Sequence, residues 1–163
     1  MARLHTLCTV AVLLSLSACD SDPVDISGTY SVAITNGPNG CNLANYTVGE
    51  TATNITMVVT QNDTAASAEV QGVAGLALSA LVGGNTFVGT VDGSDVTLRI
   101  AGNRMMTMGT CDYHFDATAD ARLTGDALAG NVAYTPVTDG ATDCGPLEGC
   151  ETIQMFSGSR PPR

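Results

Sequence analysis

His114 is the residue best suited to acid–base or metal chemistry in this chain of 163 residues. In a β-strand alternate side chains share a face, so His114 lies beside Asp112 and Asp116. An imidazole between two carboxylates suits proton transfer or metal binding. However, the sequence offers no serine or cysteine nucleophile for it, and it contains neither a Gly-x-Ser-x-Gly nor a His-Glu-x-x-His motif. We therefore interpret this group as a solvated outer face and expect the protein not to be an enzyme.

Three methionines form a second group with potential chemistry. Met105, Met106 and Met108 are close in sequence, and soft thioethers bind Cu(I). Methionine also fills hydrophobic cores that are poor in aromatic side chains, and this chain has no tryptophan, four tyrosines and three phenylalanines. We favour core packing for the three methionines.

An acidic segment near the C-terminus is the third group. Asp139, Asp143, Glu148 and Glu151 offer the oxygen ligands that Ca²⁺ prefers, but their spacing is not that of a regular calcium-binding loop. We therefore favour a solvated charged loop. The sequence therefore predicts no metal centre and no cofactor.

The N-terminus has the pattern of an export signal. Arg3 precedes an apolar stretch, residues 7–16, that is too short to cross a bilayer core of about 30 Å. The stretch ends in Leu16-Ser17-Ala18-Cys19, which resembles the lipobox of bacterial lipoproteins. The resemblance implies that Cys19 is lipidated and that the chain is cut before it. Residues 1–18 would then be a signal peptide and residues 19–25 a short tether, in a protein of the bacterial cell envelope anchored in the inner or the outer membrane.

Four cysteines remain in the exported part: Cys41, Cys111, Cys144 and Cys150. An even number of cysteines in an exported chain favours disulfides, and four cysteines allow three pairings. The Gly-Pro-containing turn between Cys144 and Cys150 favours a bond between these two. This choice leaves Cys41 to pair with Cys111.

Charge excludes one class of partner. The chain has six arginines and no lysine against sixteen carboxylates, which gives a net charge of −10. A nucleic-acid-binding protein needs clustered cations to neutralise phosphates. We therefore expect no nucleic-acid partner, and contact with a membrane through the lipid anchor rather than through surface charge.

Short segments with period-two alternation fill residues 26–158. Val96, Leu98 and Ile100 alternate with polar residues after the Asp92-Gly93 pair, which is typical of a hairpin turn. Residues 73–82 fit either a strand or a helical turn. Eight or nine such segments predict an all-β domain, an antiparallel up-and-down barrel of about eight strands with a sandwich as the alternative. Residues 159–163 are interpreted as a C-terminal tail.

The opening strand carries a second resemblance. Gly28-x-Tyr30, the meander that follows and the domain size resemble the lipocalin-like (calycin) barrels. The Gly-x-Trp motif of that family has tyrosine here, and the sequence alone does not assign an arginine to it. The resemblance implies a barrel able to hold a small apolar ligand.

These observations support three functions. The first is a lipid-anchored envelope lipoprotein with a structural, inhibitory or protein-interaction role. The alternative is a carrier of a small apolar ligand inside the barrel. The third, Cu(I) handling, depends on the methionine cluster. We expect the first, and the deciding observation is whether the barrel contains an open cavity.

Overall fold

The computed structural model describes residues 22–162. The strands are β1 (Gly28–Asn39), β2 (Thr51–Asn62), β3 (Ala65–Val70), β4 (Thr86–Asp92), β5 (Asp95–Ile100), β6 (Met106–Met108), β7 (Cys111–Thr124), β8 (Ala127–Thr138) and β9 (Thr152–Ser159). Helix α1 (Gly72–Val82) joins β3 to β4, and a 3₁₀ helix (Thr142–Leu147) joins β8 to β9. The predicted all-β class is confirmed.

Eight of the strands close into a barrel. Their order is β5-β4-β3-β2-β1-β9-β8-β7, and β5 pairs with β7 to complete the circle. Every pairing is antiparallel, and β6 lies outside the circle against the first residues of β7. Closure gives each of the eight strands two neighbours, which removes the exposed edges of an open sheet. The predicted up-and-down barrel is confirmed, and the sandwich is excluded.

Side-chain alternation builds the interior. In β5, Val96, Leu98 and Ile100 are buried, whereas the residues between them are exposed. In β7, Phe115, Ala117 and Ala119 supply buried apolar side chains, and Asp116 between them is buried as well. Because the period of a strand is two, one apolar face of each strand supplies the core and the other meets solvent.

The two ends of the barrel differ in their connections. Three hairpins with two-residue turns, β2–β3, β4–β5 and β7–β8, lie at one end, together with residues 22–27; we call it the closed end. The long connections, residues 40–50, α1 and its flanks, residues 101–110 and residues 139–151, all lie at the other end, which we call the open end.

Helix α1 resolves the segment that the sequence left ambiguous. Alanine and leucine favour a helix here, and Gly83 ends it at a φ of 92°, where its N–H donates to the Ser79 carbonyl oxygen. The helix carries no charged residue. It buries Leu78 on the barrel side, whereas Val73 and Leu76 are 83% and 71% exposed.

Arg160 seals the closed end. Its side chain is 7% exposed and lies over the Tyr30 ring, with 5.7 Å between the guanidinium carbon and the ring centroid. It donates to the Ser27 carbonyl oxygen at 2.6 Å and to the Asp126 carboxylate at 3.2 Å. The Tyr30 hydroxyl donates to the carbonyl oxygen of Ile26. The predicted boundary of 158 is therefore two residues short, since Ser159 and Arg160 belong to the barrel.

All four cysteines are in disulfides, as predicted, but the predicted pairing is wrong. The bonds are Cys41–Cys150 and Cys111–Cys144. Antiparallel pairing explains the first bond. Asn39 in β1 pairs with Thr152 in β9, so the residues two positions beyond Asn39 and two before Thr152 meet. Cys144 is directed by the 3₁₀ helix towards Cys111 at the start of β7, and both are fully buried.

Candidate functional site

A cavity of about 470 Å³ occupies the barrel interior. Its walls are apolar side chains from the strands and from one face of α1, including Ile55, Met57, Val70, Leu81, Phe87 and Phe156. An eight-stranded barrel is just wide enough either to be filled by its own side chains or to hold one small ligand. The interior of this barrel is not filled by its own side chains.

Short side chains keep the interior open. Ala68, Ala119 and Ala121 line the cavity from β3 and β7, and Ala74 and Ala77 line it from α1. Larger residues at these positions would fill the space between the strands. The sequence is rich in alanine and poor in aromatic residues, and this composition therefore leaves open space inside the barrel. Ala68 lines the cavity, whereas Ala66, two residues earlier in β3, is buried outside it.

The cavity opens at one end. The exposed residues that line it are Asn45, Glu50, Ala52 and Ala77, which lie in the β1–β2 connection, at the start of β2 and on α1. We call this opening the mouth. At the closed end the lining residues are buried, as Ile26 at 0% exposure shows. A ligand would enter between α1 and the β1–β2 connection.

A row of polar side chains lies in the part of the wall near the mouth. The Tyr134 hydroxyl donates to Oε1 of Gln154 at 2.8 Å, and Nε2 of Gln154 donates to Oδ1 of Asn36 at 2.7 Å. Nδ2 of Asn36 then donates to the Thr47 carbonyl oxygen at 3.1 Å. We call Tyr134, Gln154 and Asn36 the polar relay. All three line the cavity.

The phenol of the relay, Tyr134, and the phenol of the neighbouring Tyr46 both have raised pKa values. Burial, and to a smaller extent the neighbouring Tyr46, raises the pKa of Tyr134. Burial also raises the pKa of Tyr46, whose hydroxyl donates to the carbonyl oxygen of Ile153 at 2.5 Å. The two tyrosines therefore present uncharged hydroxyl groups at neutral pH.

Sequence reasoning missed the relay. Asn36 precedes Gly37 and Pro38, residues typical of a turn, whereas β1 runs on to Asn39. In β9, Met155 is 52% exposed, whereas Gln154 and Phe156 line the cavity. The sequence feature that could have located the relay is the alternation of β9, in which Gln154 and Phe156 face inward and Met155 faces outward.

Comparison of the chain with protein-family models, with curated proteins and with solved structures finds no match. Within residues 22–162, no helix has the length and apolar character needed to span a bilayer.

The His114 group lies on the outer face of β7, but the prediction that this face is solvated is wrong for Asp116, which is buried in a structural contact. Asp116 is 6% exposed and accepts hydrogen bonds from the Arg99 guanidinium and from the Gly102 N–H. Burial alone would raise the pKa of Asp116, but these hydrogen bonds outweigh it and the pKa is lowered. Nε2 of His114 is 3.7 Å from the Asp116 carboxylate, and Asp112 accepts a hydrogen bond from Thr107 instead. Asp116 thus fixes the loop after β5.

The three methionines divide between core and surface. Met106 and Met108 in β6 are partly buried and pack against the hydrophobic core, whereas Met105 is 62% exposed. The arrangement of Met106 and Met108 matches the core packing that we favoured.

The acidic segment also forms internal contacts. Asp143 accepts hydrogen bonds from the N–H and the hydroxyl of Thr110, and these bonds lower its pKa. Among the described residues, the potential metal ligands that lie within 4.8 Å of one another are Cys111, Asp139 and Cys144. Both cysteines form a disulfide, so their sulfur atoms are not available as thiolate ligands.

Cys19, the predicted lipidation site, lies outside the described residues. The signal peptide and residues 19–21 of the tether lie outside them, whereas residues 22–25 are described.

Proposed function

We propose that this protein is a lipid-anchored lipoprotein of the bacterial cell envelope whose barrel carries a small apolar ligand. The cavity of about 470 Å³ is the observation that supports the carrier function. Ligand pockets in proteins are commonly about 300–1,000 Å³, with mostly apolar walls and a few polar groups. The cavity has this composition, since the polar relay is set in an apolar wall.

The size of the cavity suggests the size of the ligand. An engineered apolar cavity of about 150 Å³ stays dry and binds benzene. The interior here is roughly three times as large. It therefore suits a ligand of about three benzene volumes, such as a short acyl chain or a molecule with three aromatic rings.

Two further observations support parts of the proposal. The pairing of Arg160 with Tyr30 adds to the lipocalin-like resemblance, since an arginine now stands beside the Gly-x-Tyr segment. The exposed Val73 and Leu76 on α1 favour a protein-interaction role at the mouth as a second function. The structural, inhibitory or protein-interaction role that we expected from the sequence stays a prediction.

The carrier function predicts binding of N-phenyl-1-naphthylamine, a neutral fluorescent probe with three aromatic rings. We expect micromolar affinity for the wild-type protein. Ala68→Phe, which places a ring in the cavity, should weaken binding about tenfold or more. Fluorescence titration measures both values.

Ala129→Phe is the matched control, because Ala129 is exposed on the outer face of β8. This variant should bind the probe as the wild type does. Absence of probe binding to a wild-type protein that melts cooperatively would contradict the carrier function.

The anchor makes a separate prediction. In the native host, Cys19→Ala should abolish labelling by a radioactive fatty acid, because the alanine has no thiol to form the thioether. Cys8→Ala, which changes a cysteine inside the signal segment, is the control and should leave labelling unchanged. Labelling that survives in Cys19→Ala would disprove the lipobox assignment.

A further inference from the structure

We infer that the ligand is a neutral amphiphile: an apolar body with one uncharged group that both donates and accepts hydrogen bonds, such as an amide or a hydroxyl. This inference rests on the proposed carrier function. Its basis is the hydrogen-bond chemistry of the polar relay and the distribution of charge around the cavity.

The relay has a fixed direction. The Thr47 carbonyl oxygen can only accept, so Asn36 must turn its amide nitrogen to Thr47 and its oxygen to Gln154. Gln154 must then donate to Asn36 and accept from Tyr134. One backbone carbonyl thus sets the orientation of both amides.

Each amide keeps capacity for a ligand. A carboxamide has two N–H donors and an oxygen with two lone pairs. Asn36 and Gln154 each use one donor and one lone pair within the relay. Each therefore has one donor and one lone pair left, and both residues line the cavity. A ligand group that both donates and accepts can use both kinds of remaining capacity, a primary amide with two N–H donors more fully than a hydroxyl with one O–H.

The charges around the cavity oppose an anionic group. None of the arginines in residues 22–162 lines the cavity: Arg99 and Arg122 pair with carboxylates on the outer face, Arg160 seals the closed end, and Arg104 is exposed in the loop after β5. Glu50 stands at the mouth. A carboxylate beside the relay would lose its hydration, gain no cation and approach another carboxylate.

A cationic group also fits the relay poorly. An ammonium group donates hydrogen bonds and accepts none. The remaining N–H donors of Asn36 and Gln154 would face it without a partner. Glu50 is exposed and hydrated, so it offers a cation a weak ion pair outside the relay.

The test compares four ligands with the same chain and different head groups. In this test, bound N-phenyl-1-naphthylamine is titrated at pH 8 with dodecanamide, dodecanol, dodecanoate or dodecylammonium. Each ligand is kept below its solubility limit, and the two charged ligands also below their critical micelle concentrations. We expect the amide and the alcohol to bind about tenfold more tightly than the two charged ligands. Equal binding of dodecanoate, or tightest binding of dodecylammonium, would overturn the inference.

Gln154→Arg tests the same idea by reversal. The new guanidinium should raise the affinity for dodecanoate about tenfold and lower that for dodecanamide. Met155→Arg adds the same charge to the adjacent exposed position and should leave the preference for neutral ligands unchanged. If Gln154→Arg does not fold, Gln154→Leu serves instead. Gln154→Leu should lower the affinity for dodecanamide about tenfold and leave the affinity for N-phenyl-1-naphthylamine unchanged.

The two proposals fail in different ways. If the probe does not bind the wild-type protein, the carrier function fails. If the probe binds but dodecanoate displaces it as well as dodecanamide does, the cavity is a carrier site and the inference about the head group is wrong.

Discussion

Replacing Cys41 and Cys150 together by serine should lower the free energy of unfolding by about 5 kcal/mol. The bond joins residues 109 positions apart, so it removes much of the loop entropy of the unfolded chain. For a domain of this size we expect the melting temperature to fall by roughly 15 to 20 °C. Thermal and urea unfolding of the oxidised proteins measure the change.

The second bond provides the comparison. Cys111 and Cys144 are 33 positions apart, and the same model gives about 4 kcal/mol for the double serine variant. The variant without Cys41 and Cys150 should therefore be the less stable of the two. If its stability equals that of the wild type, the assignment of Cys41 to Cys150 is wrong.

Peptide mapping checks the pairing directly. Because the chain has no lysine, trypsin cuts only after arginine, and Arg99, Arg104 and Arg122 separate the cysteines into three fragments. The pairing in the structure joins all three fragments into one species. The pairing predicted from the sequence would join the first two and leave the fragment with Cys144 and Cys150 on its own.

Arg160→Ala should cost about 2 to 4 kcal/mol of folding free energy. The arginine is almost fully buried and makes charge-assisted hydrogen bonds to Ser27 and Asp126. Without the guanidinium group, the Ser27 carbonyl oxygen loses a hydrogen-bond donor and the Tyr30 ring loses its cation–π contact. Urea unfolding at pH 7 measures this free energy. The stability of Arg160→Lys should lie between those of the wild type and Arg160→Ala, because a lysine cannot reproduce the planar set of N–H donors of the guanidinium group.

Arg122→Ala is the matched control for this prediction. Arg122 pairs with Asp95 at 2.9 Å, but the two side chains are 66% and 63% exposed. An exposed ion pair of this kind contributes less than about 1 kcal/mol. Equal losses in the two variants would show that burial of Arg160 adds nothing to its contribution.

Local patterns allowed the barrel to be predicted. The alternation of Val96, Leu98 and Ile100 and the hairpin turn before them depend on neighbours in sequence, and the structure reproduces both. Closure depends on β5 meeting β7 and β1 meeting β9, pairings between distant segments that no local pattern contains.

The errors follow from the same limit. Loop proximity favoured Cys144 with Cys150, whereas the β1–β9 pairing brings Cys41 to Cys150. Arg160 was assigned to a tail because nothing near it in sequence needs a cation; its partners are Tyr30 and Ser27, more than a hundred residues away. The relay was missed because Gln154 lies between two apolar residues that suggested the opposite face.

The N-terminal segment determines which way an anchored molecule faces. It runs along the closed end, where the Val24 N–H donates to the Gly93 carbonyl oxygen at 2.8 Å and the Ile26 N–H donates to Gln61. If Cys19 carries the proposed lipid, three residues before Asp22, the closed end would stand within about 10 Å of the head groups. In that case the mouth would point into the aqueous compartment. A ligand from the anchoring bilayer would have to leave that bilayer and pass around the barrel to reach the mouth. Ligand exchange would therefore take place with a molecule or membrane that approaches the mouth from the aqueous side.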